Sequence, residues 1–92
     1  MSKILLSKLY RTEMMIIMTL NELPIGKTAI VTNIELQGTI RRRLFDLGLI
    51  HGTTVESVLK SPKGNPIAYK IRGAVIALRN SDTEKITINH KG

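Results

Sequence analysis

The chain contains no cysteine and no tryptophan, and only two histidines. Without thiols there is no disulfide, no thiolate nucleophile, no Cys-ligated zinc and no iron–sulfur cluster. A small domain that folds without such staples fits a reducing compartment. Aromatic residues are also scarce: Tyr10, Phe45 and Tyr69 are the whole set. Single-stranded nucleic acid is gripped by stacking bases on exposed rings. Proline-rich peptides are clamped between rings in a groove. Three aromatics cannot furnish either platform. Uncharged apolar runs are short, because Lys3, Lys8, Arg11 and Glu13 interrupt the first segment. None approaches the roughly 18–20 residues that a helical membrane span requires.

What is present is a chain of 92 residues, enough for one domain, with a formal charge of +7 from 14 basic and 7 acidic residues. Such an excess favours an anionic partner: nucleic acid, a lipid surface or an acidic protein face. The basic residues are dispersed, apart from the run Arg41-Arg42-Arg43. Residues 1–17 differ in character from the rest. They read as an N-terminal extension, disordered or loosely helical. A later start at Met14, Met15 or Met18 and an interfacial helix are the other readings.

From residue 18 the chain reads as a succession of short elements. Thr19-Leu20-Asn21-Glu22 has the spacing of a capping box, and Pro24 limits it to about one turn. Residues 29–34 read as a strand with Ile30, Thr32 and Ile34 on one face. Ile40, Leu44 and Leu47 form an apolar stripe, which predicts one helix over 39–47. Thr39 is placed to cap it, and Gly48 sits where a left-handed residue ends a helix. Residues 53–60 read as a strand with a bulge near Ser57. Ser61-Pro62-Lys63-Gly64-Asn65-Pro66 is turn chemistry. Ile67, Tyr69 and Ile71 alternate cleanly with Ala68, Lys70 and Arg72. Arg72-Gly73 reads as a tight turn, 74–78 and 86–88 as further strands, and Ser81-Asp82-Thr83-Glu84 as a second capping box. The outcome is mainly β: a small barrel of about five strands with one inserted helix and short helical turns.

The search for reactive chemistry returns little. His51 and His90 have no metal-ligand spacing, and no carboxylates cluster. No serine has a general base in a recognisable arrangement, and Gly64 lacks the Lys-Ser/Thr that a phosphate loop places after it. The expectation is a non-enzyme with no catalytic, cofactor or metal site. The three arginines fan across roughly 200° of a helix, so they cannot all meet one phosphate ridge.

Four segments then resemble a known family. Thr19-Leu20-Asn21-Glu22-Leu23-Pro24-Ile25-Gly26 looks like the opening Leu-x-x-Leu-x-x-Gly of FeoA proteins, which accompany the ferrous-iron transporter FeoB. Residues 43–53, Arg-Leu-Phe-Asp-Leu-Gly-Leu-Ile-His-Gly-Thr, are similar to its Arg-Leu-x-x-(Leu/Met)-Gly-Leu-x-x-Gly. Ser61-Pro62-Lys63-Gly64-Asn65-Pro66 resembles its (Ala/Ser)-Pro-x-Gly-(Asp/Asn)-Pro loop. Arg72-Gly73 with Ile76-Ala77-Leu78-Arg79 matches its Arg-Gly and (Leu/Ile)-Ala-Leu-Arg segments. His51 departs from a common proline and Thr83 from a common alanine.

The resemblance covers residues 18 to about 89. It implies an SH3-like barrel over 18–92 and a cytoplasmic location, peripheral to the inner membrane through its partner. It also implies an accessory, regulatory role in ferrous-iron transport, by binding FeoB and its cytosolic GTPase part. Arg41, Arg42, Arg43, Leu49 and Pro62 are the expected partner contacts. Two alternatives stand beside it: a free-standing module related to the C-terminal domains of metal-dependent repressors, and a basic nucleic-acid binder. Nucleic acid is not the expected partner, given the shortage of rings. Exposed sheet edges and the apolar leader allow weak self-association.

Overall fold

The computed structural model of the protein describes residues 15–91, and its side chains from 17 to 90. Six strands form one antiparallel sheet: β1 (Met15–Thr19), β2 (Thr28–Ile34), β3 (Thr54–Lys60), β4 (Ile67–Ile71), β5 (Ala74–Leu78) and β6 (Ile86–Lys91). Their order across the sheet is β1-β6-β2-β3-β4-β5. One helix, α1 (Gly38–Asp46), joins β2 to β3, and a single turn, α2 (Asn80–Thr83), joins β5 to β6.

The mainly β expectation holds, with six strands where the sequence suggested five. The extra strand is β1. Met15, Ile16 and Ile17, expected in the extension, pair with Lys91, His90 and Asn89 of β6. The rest of the expected extension, residues 1–14, lies outside the described residues.

The sheet is rolled. In a flat sheet β1 and β4 would lie four strand spacings apart, about 19 Å. The Tyr69 hydroxyl on β4 instead donates to the carbonyl of Leu20, the residue after β1, at 3.4 Å. Leu20, Val31, Val55, Tyr69, Ile71 and Ile88 meet in one core cluster with less than 1% exposure each. Alternation on β4 explains its part: Ile67, Tyr69 and Ile71 are buried, while Ala68 and Lys70 face outward.

Alternation misleads on β2. Ala29 and Val31 take the core face and Ile30 is 44% exposed. A bulge against β6 between Val31 and Asn33 then shifts the phase, which returns Ile34 to partial burial. The bulge expected near Ser57 is present, where the β3–β4 register shifts between Ser57 and Leu59. Arg72 and Gly73 form the two-residue hairpin between β4 and β5, both at positive φ (52° and 86°). That is the primed geometry whose twist suits a tight hairpin.

The two capping boxes fare differently. At Thr19 the Glu22 carboxylate accepts the Thr19 backbone N–H at 2.9 Å, as expected. At the second, Ser81 is not the cap: α2 begins at Asn80, with Arg79 in the cap position two residues before Ser81. The Asn80 N–H donates to Oδ1 of Asn65, fifteen residues away in sequence, at 2.9 Å. A long-range side chain does there what a local hydroxyl was expected to do.

Candidate partner-binding surface

Helix α1 and the loop that leaves it carry most of the candidate residues. Thr39 does not cap the helix; Gln37 occupies the cap position and Gly38 is the first helical residue. The exit matches the sequence reading. Gly48, at φ +97°, donates to the Phe45 carbonyl at 2.9 Å, and Leu49 donates to the Leu44 carbonyl at 2.9 Å. This is the Schellman pairing, completed by the apolar contact between the residues at its two ends. Thr53 then fastens the loop. Its buried hydroxyl donates to the Gly48 carbonyl at 2.8 Å and accepts the Ile50 N–H at 2.9 Å.

That geometry corrects one site expectation. Leu49 is 1% exposed and belongs to the core cluster, so it supports the surface from beneath. The reason is local: the Schellman turn folds Leu49 back under Leu44. Leu47, expected on the buried stripe, is 36% exposed at the helix end, whereas Ile40 and Leu44 pack inward.

The three arginines are exposed and diverge. Arg41 turns toward β2, where its guanidinium donates to the carbonyls of Ile34 and Leu36, both at 3.2 Å. It therefore closes the β2–α1 connection as well as facing solvent. Arg43 turns toward β5 and lines a groove with Leu47, Ile76, Arg79 and Asp82. Arg42 lies between them on the outer surface of α1.

Sequence reasoning did not single out the apolar members of this surface. Phe45 is 59% exposed and Ile50 39% exposed. With Ile34, Arg41 and His51 they border a shallow hollow beside β2. The signal was available in the phase of α1, since Phe45 falls off the Ile40–Leu44 stripe and yet is a large apolar residue on a short amphipathic helix. The result is a surface with an aromatic ring and aliphatic side chains framed by guanidinium groups. This is the composition found at interface centres.

Pro62 is exposed in the β3–β4 loop, apart from α1. The loop is held by Asn80, whose N–H meets Asn65 and whose Nδ2 donates to the Gly64 carbonyl at 3.2 Å. Since Asn80 opens α2, and Arg79 and Asp82 line the groove beside α1, the Pro62 loop and Arg43 stand on either side of the same helical turn.

Reactive chemistry is sparse. Among the described residues no three His, Asp or Glu side chains gather where they could hold a metal ion. His51 is exposed, and the His90 ring Nδ1 lies 3.2 Å from the Thr28 carbonyl oxygen. Burial pushes the Tyr69 hydroxyl above its ordinary value of 10.0, and a hydrogen bond with Thr83 offsets this in part. Tyr69 is a core group. No helix among the described residues is long and apolar enough to cross a membrane.

Comparison with known proteins gives these features a family. The FeoA domain model matches residues 18–90. A fusion of Fe(2+) transport protein A with the Fe(2+) transporter FeoB, from Porphyromonas gingivalis, is 34% identical over 71 residues. The match covers 77% of this chain and 8% of the fusion, so this chain corresponds to a small part of that polypeptide. The solution structure of FeoA from Chlorobium tepidum superposes with a TM-score of 0.76 at 35% identity, covering 82% of this chain and 71% of that one. FeoA of Stenotrophomonas maltophilia, solved with zinc and described as a prokaryotic SH3 domain protein, gives 0.68 at 33% identity, covering 77% and 88%. A manganese-dependent transcriptional repressor gives 0.70 at 16% identity, a likeness of fold alone over 80% of this chain and 41% of the repressor chain. The sheet is thus the SH3-like barrel that the sequence motifs implied, and the chain belongs to the FeoA family.

Proposed function

We propose that this chain is a non-catalytic accessory protein of ferrous-iron transport, and that it docks on the cytosolic part of a FeoB-type transporter through α1 and the loop 48–53. The observation that carries this reading is the Porphyromonas gingivalis fusion, in which a domain 34% identical to this chain is covalently part of a FeoB transporter. Wherever such a domain is not tethered, a non-covalent interface has to take the place of the tether. Tethering raises effective concentration, so an untethered domain needs a surface of real affinity. Phe45 and Ile50 supply apolar area, Arg42 and Arg43 supply charge, and the Gly48–Thr53 hydrogen bonds hold the loop in one conformation before binding. Preorganisation of this kind reduces the ordering cost of association. On this reading the protein sits in the cytoplasm, at the inner membrane through its partner, and ferrous iron is the transporter's cargo.

The test is a pull-down of the transporter's GTPase part and membrane part, separately, with wild-type protein and with Phe45→Ala and Arg42→Ala/Arg43→Ala variants. Capture of the GTPase part by wild type, weakened in both variants, supports the proposal. Equal capture by all three proteins, or none by wild type, sinks it.

A further inference from the structure

The hairpin between β4 and β5 turns through Arg72 and Gly73, and its first position is an unusual place for an arginine. Among the described residues Arg72 alone is a non-glycine at positive φ (52°). Turns of this type favour Asn, Asp or Gly there, because the left-handed region strains a residue with a long side chain. The side chain is laid across the exit of α1. A Cβ built on Gly48 would fall 2.8–2.9 Å from Cγ, Cδ and Nε of Arg72, so the stem runs directly over the glycine. Beyond it Arg72 borders a polar hollow with Ile50, His51 and Thr54, all exposed. Ile50 and His51 also border the apolar hollow beside Phe45, so the two hollows adjoin along the loop 48–53.

The charge of Arg72 is not spent within the described fold. Arg41 gives its guanidinium to the carbonyls of Ile34 and Leu36. Arg72 makes no such bond to any described residue. Its neighbouring cation, Lys70, stands opposite Glu56 across β3 and β4. Residues directly opposed in antiparallel strands share a face, so that pair is matched and Arg72 is the cation left over.

We infer that Arg72 receives a carboxylate of the partner: an aspartate or glutamate side chain on the transporter's cytosolic part, seated beside the apolar contact at Phe45 and Ile50. The inference rests on the docking proposed above and names the charged contact within it. A guanidinium meets a carboxylate through two parallel hydrogen bonds. The Thr54 hydroxyl and the His51 ring border the same hollow as further donors. A nucleotide's phosphates carry several charges and call for several cations, whereas Arg72 is the only lysine or arginine in this lining. One unmatched cation fits one carboxylate. The stem on Gly48 aims the guanidinium in advance, so less freedom is lost on pairing. Backbone strain of the kind held at Arg72 persists where the surrounding structure uses it, and here it places the guanidinium at the rim of the docking surface.

The experiment compares full-length wild type with Arg72→Asn and Arg72→Lys, by thermal unfolding and by titration with the transporter's GTPase part, with and without guanine nucleotide. Asparagine suits the left-handed position, so Arg72→Asn should raise the melting temperature while weakening binding about tenfold. Arg72→Lys keeps the charge without the fork and should recover part of that loss. Raised salt should weaken wild type more than Arg72→Asn, and nucleotide should leave the Arg72 dependence unchanged. Four results overturn the inference. Wild-type binding by Arg72→Asn removes Arg72 from the contact and leaves the docking on α1 standing. A lower melting temperature in Arg72→Asn, with binding falling in parallel, makes Arg72 a structural brace over Gly48. A dependence on Arg72 seen only with nucleotide bound assigns the guanidinium to a phosphate. No binding by wild type withdraws the docking proposal and this contact with it.

Discussion

Helix α1 with its exit loop and the outer face of β3–β5 both expose apolar side chains, yet they are built on different plans. The α1 surface is framed and stiff. Arg41 is tied to two carbonyls, Thr53 locks the turn after Gly48, and Phe45 stands beside a hollow. The sheet face is open: the aliphatic side chains of Leu59, Ala68, Ala77 and Val75 stand beside Lys70, which faces Glu56. Exposed apolar side chains alone would rank the two surfaces as equals. The difference lies in how much conformational freedom the fold has already removed, and that decides which kind of partner each suits. A shaped protein surface rewards the first.

Variants can break this comparison or sharpen it. Leu49→Ala has the largest expected effect. If Leu49 is core rather than contact, its truncation costs about 3 kcal/mol of stability, measured by urea unfolding. A variant that kept wild-type stability but lost partner binding would return Leu49 to the interface. Thr53→Val comes next. It strands the Ile50 N–H and the Gly48 carbonyl, at a cost of about 2 kcal/mol. It should also weaken capture by the transporter, since it loosens the α1 exit that carries Ile50. Gly48→Ala follows, at about 1–2 kcal/mol, because an L-residue is strained at φ +97°. A Cβ there also meets the Arg72 side chain at 2.8–2.9 Å. Arg72 is flexible, so Arg72→Ala should relieve only that second part.

Tyr69→Phe is the smallest, at about 1 kcal/mol near neutral pH from the lost bond to the Leu20 carbonyl. Its diagnostic is alkaline. The folded-state value of Tyr69 is raised, so its contribution to stability is whole below the ordinary value of 10.0 and is lost as pH climbs through the raised one. Wild type should therefore destabilise above about pH 10 more steeply than the phenylalanine variant, in thermal melts across that range.

Features set by neighbours in sequence were legible before any coordinates. The Ile67–Tyr69–Ile71 alternation, the Gly48 exit, the bulge after Ser57 and the Arg72-Gly73 turn are all signalled by residues within about five positions. Features set by distant partners were not. The cap of α2 comes from Asn65, which no local pattern connects to Asn80. Strand β1 depends on pairing with β6 at the far end of the chain, and Met-Ile-Ile-Met carries no alternation to announce it. The core face of β2 could not be read from residue size, because a bulge resets the phase at Thr32 and lets Ala29 lie inside while Ile30 lies outside. The candidate surface was half legible for the same reason. Its arginines stand out as a run, whereas Phe45 becomes a surface residue only once the helix phase is fixed, and Leu49 leaves the surface only once the turn beneath it is closed.

The most direct test is to titrate the isotopically labelled chain with the isolated GTPase part of its transporter and map the amide resonances that move. The account predicts shifts clustered at Arg42, Arg43, Phe45, Leu47 and Ile50, with Leu59, Lys70 and Val75 unmoved. Shifts confined to the β3–β5 face, or a spectrum unchanged at saturating partner, would contradict it.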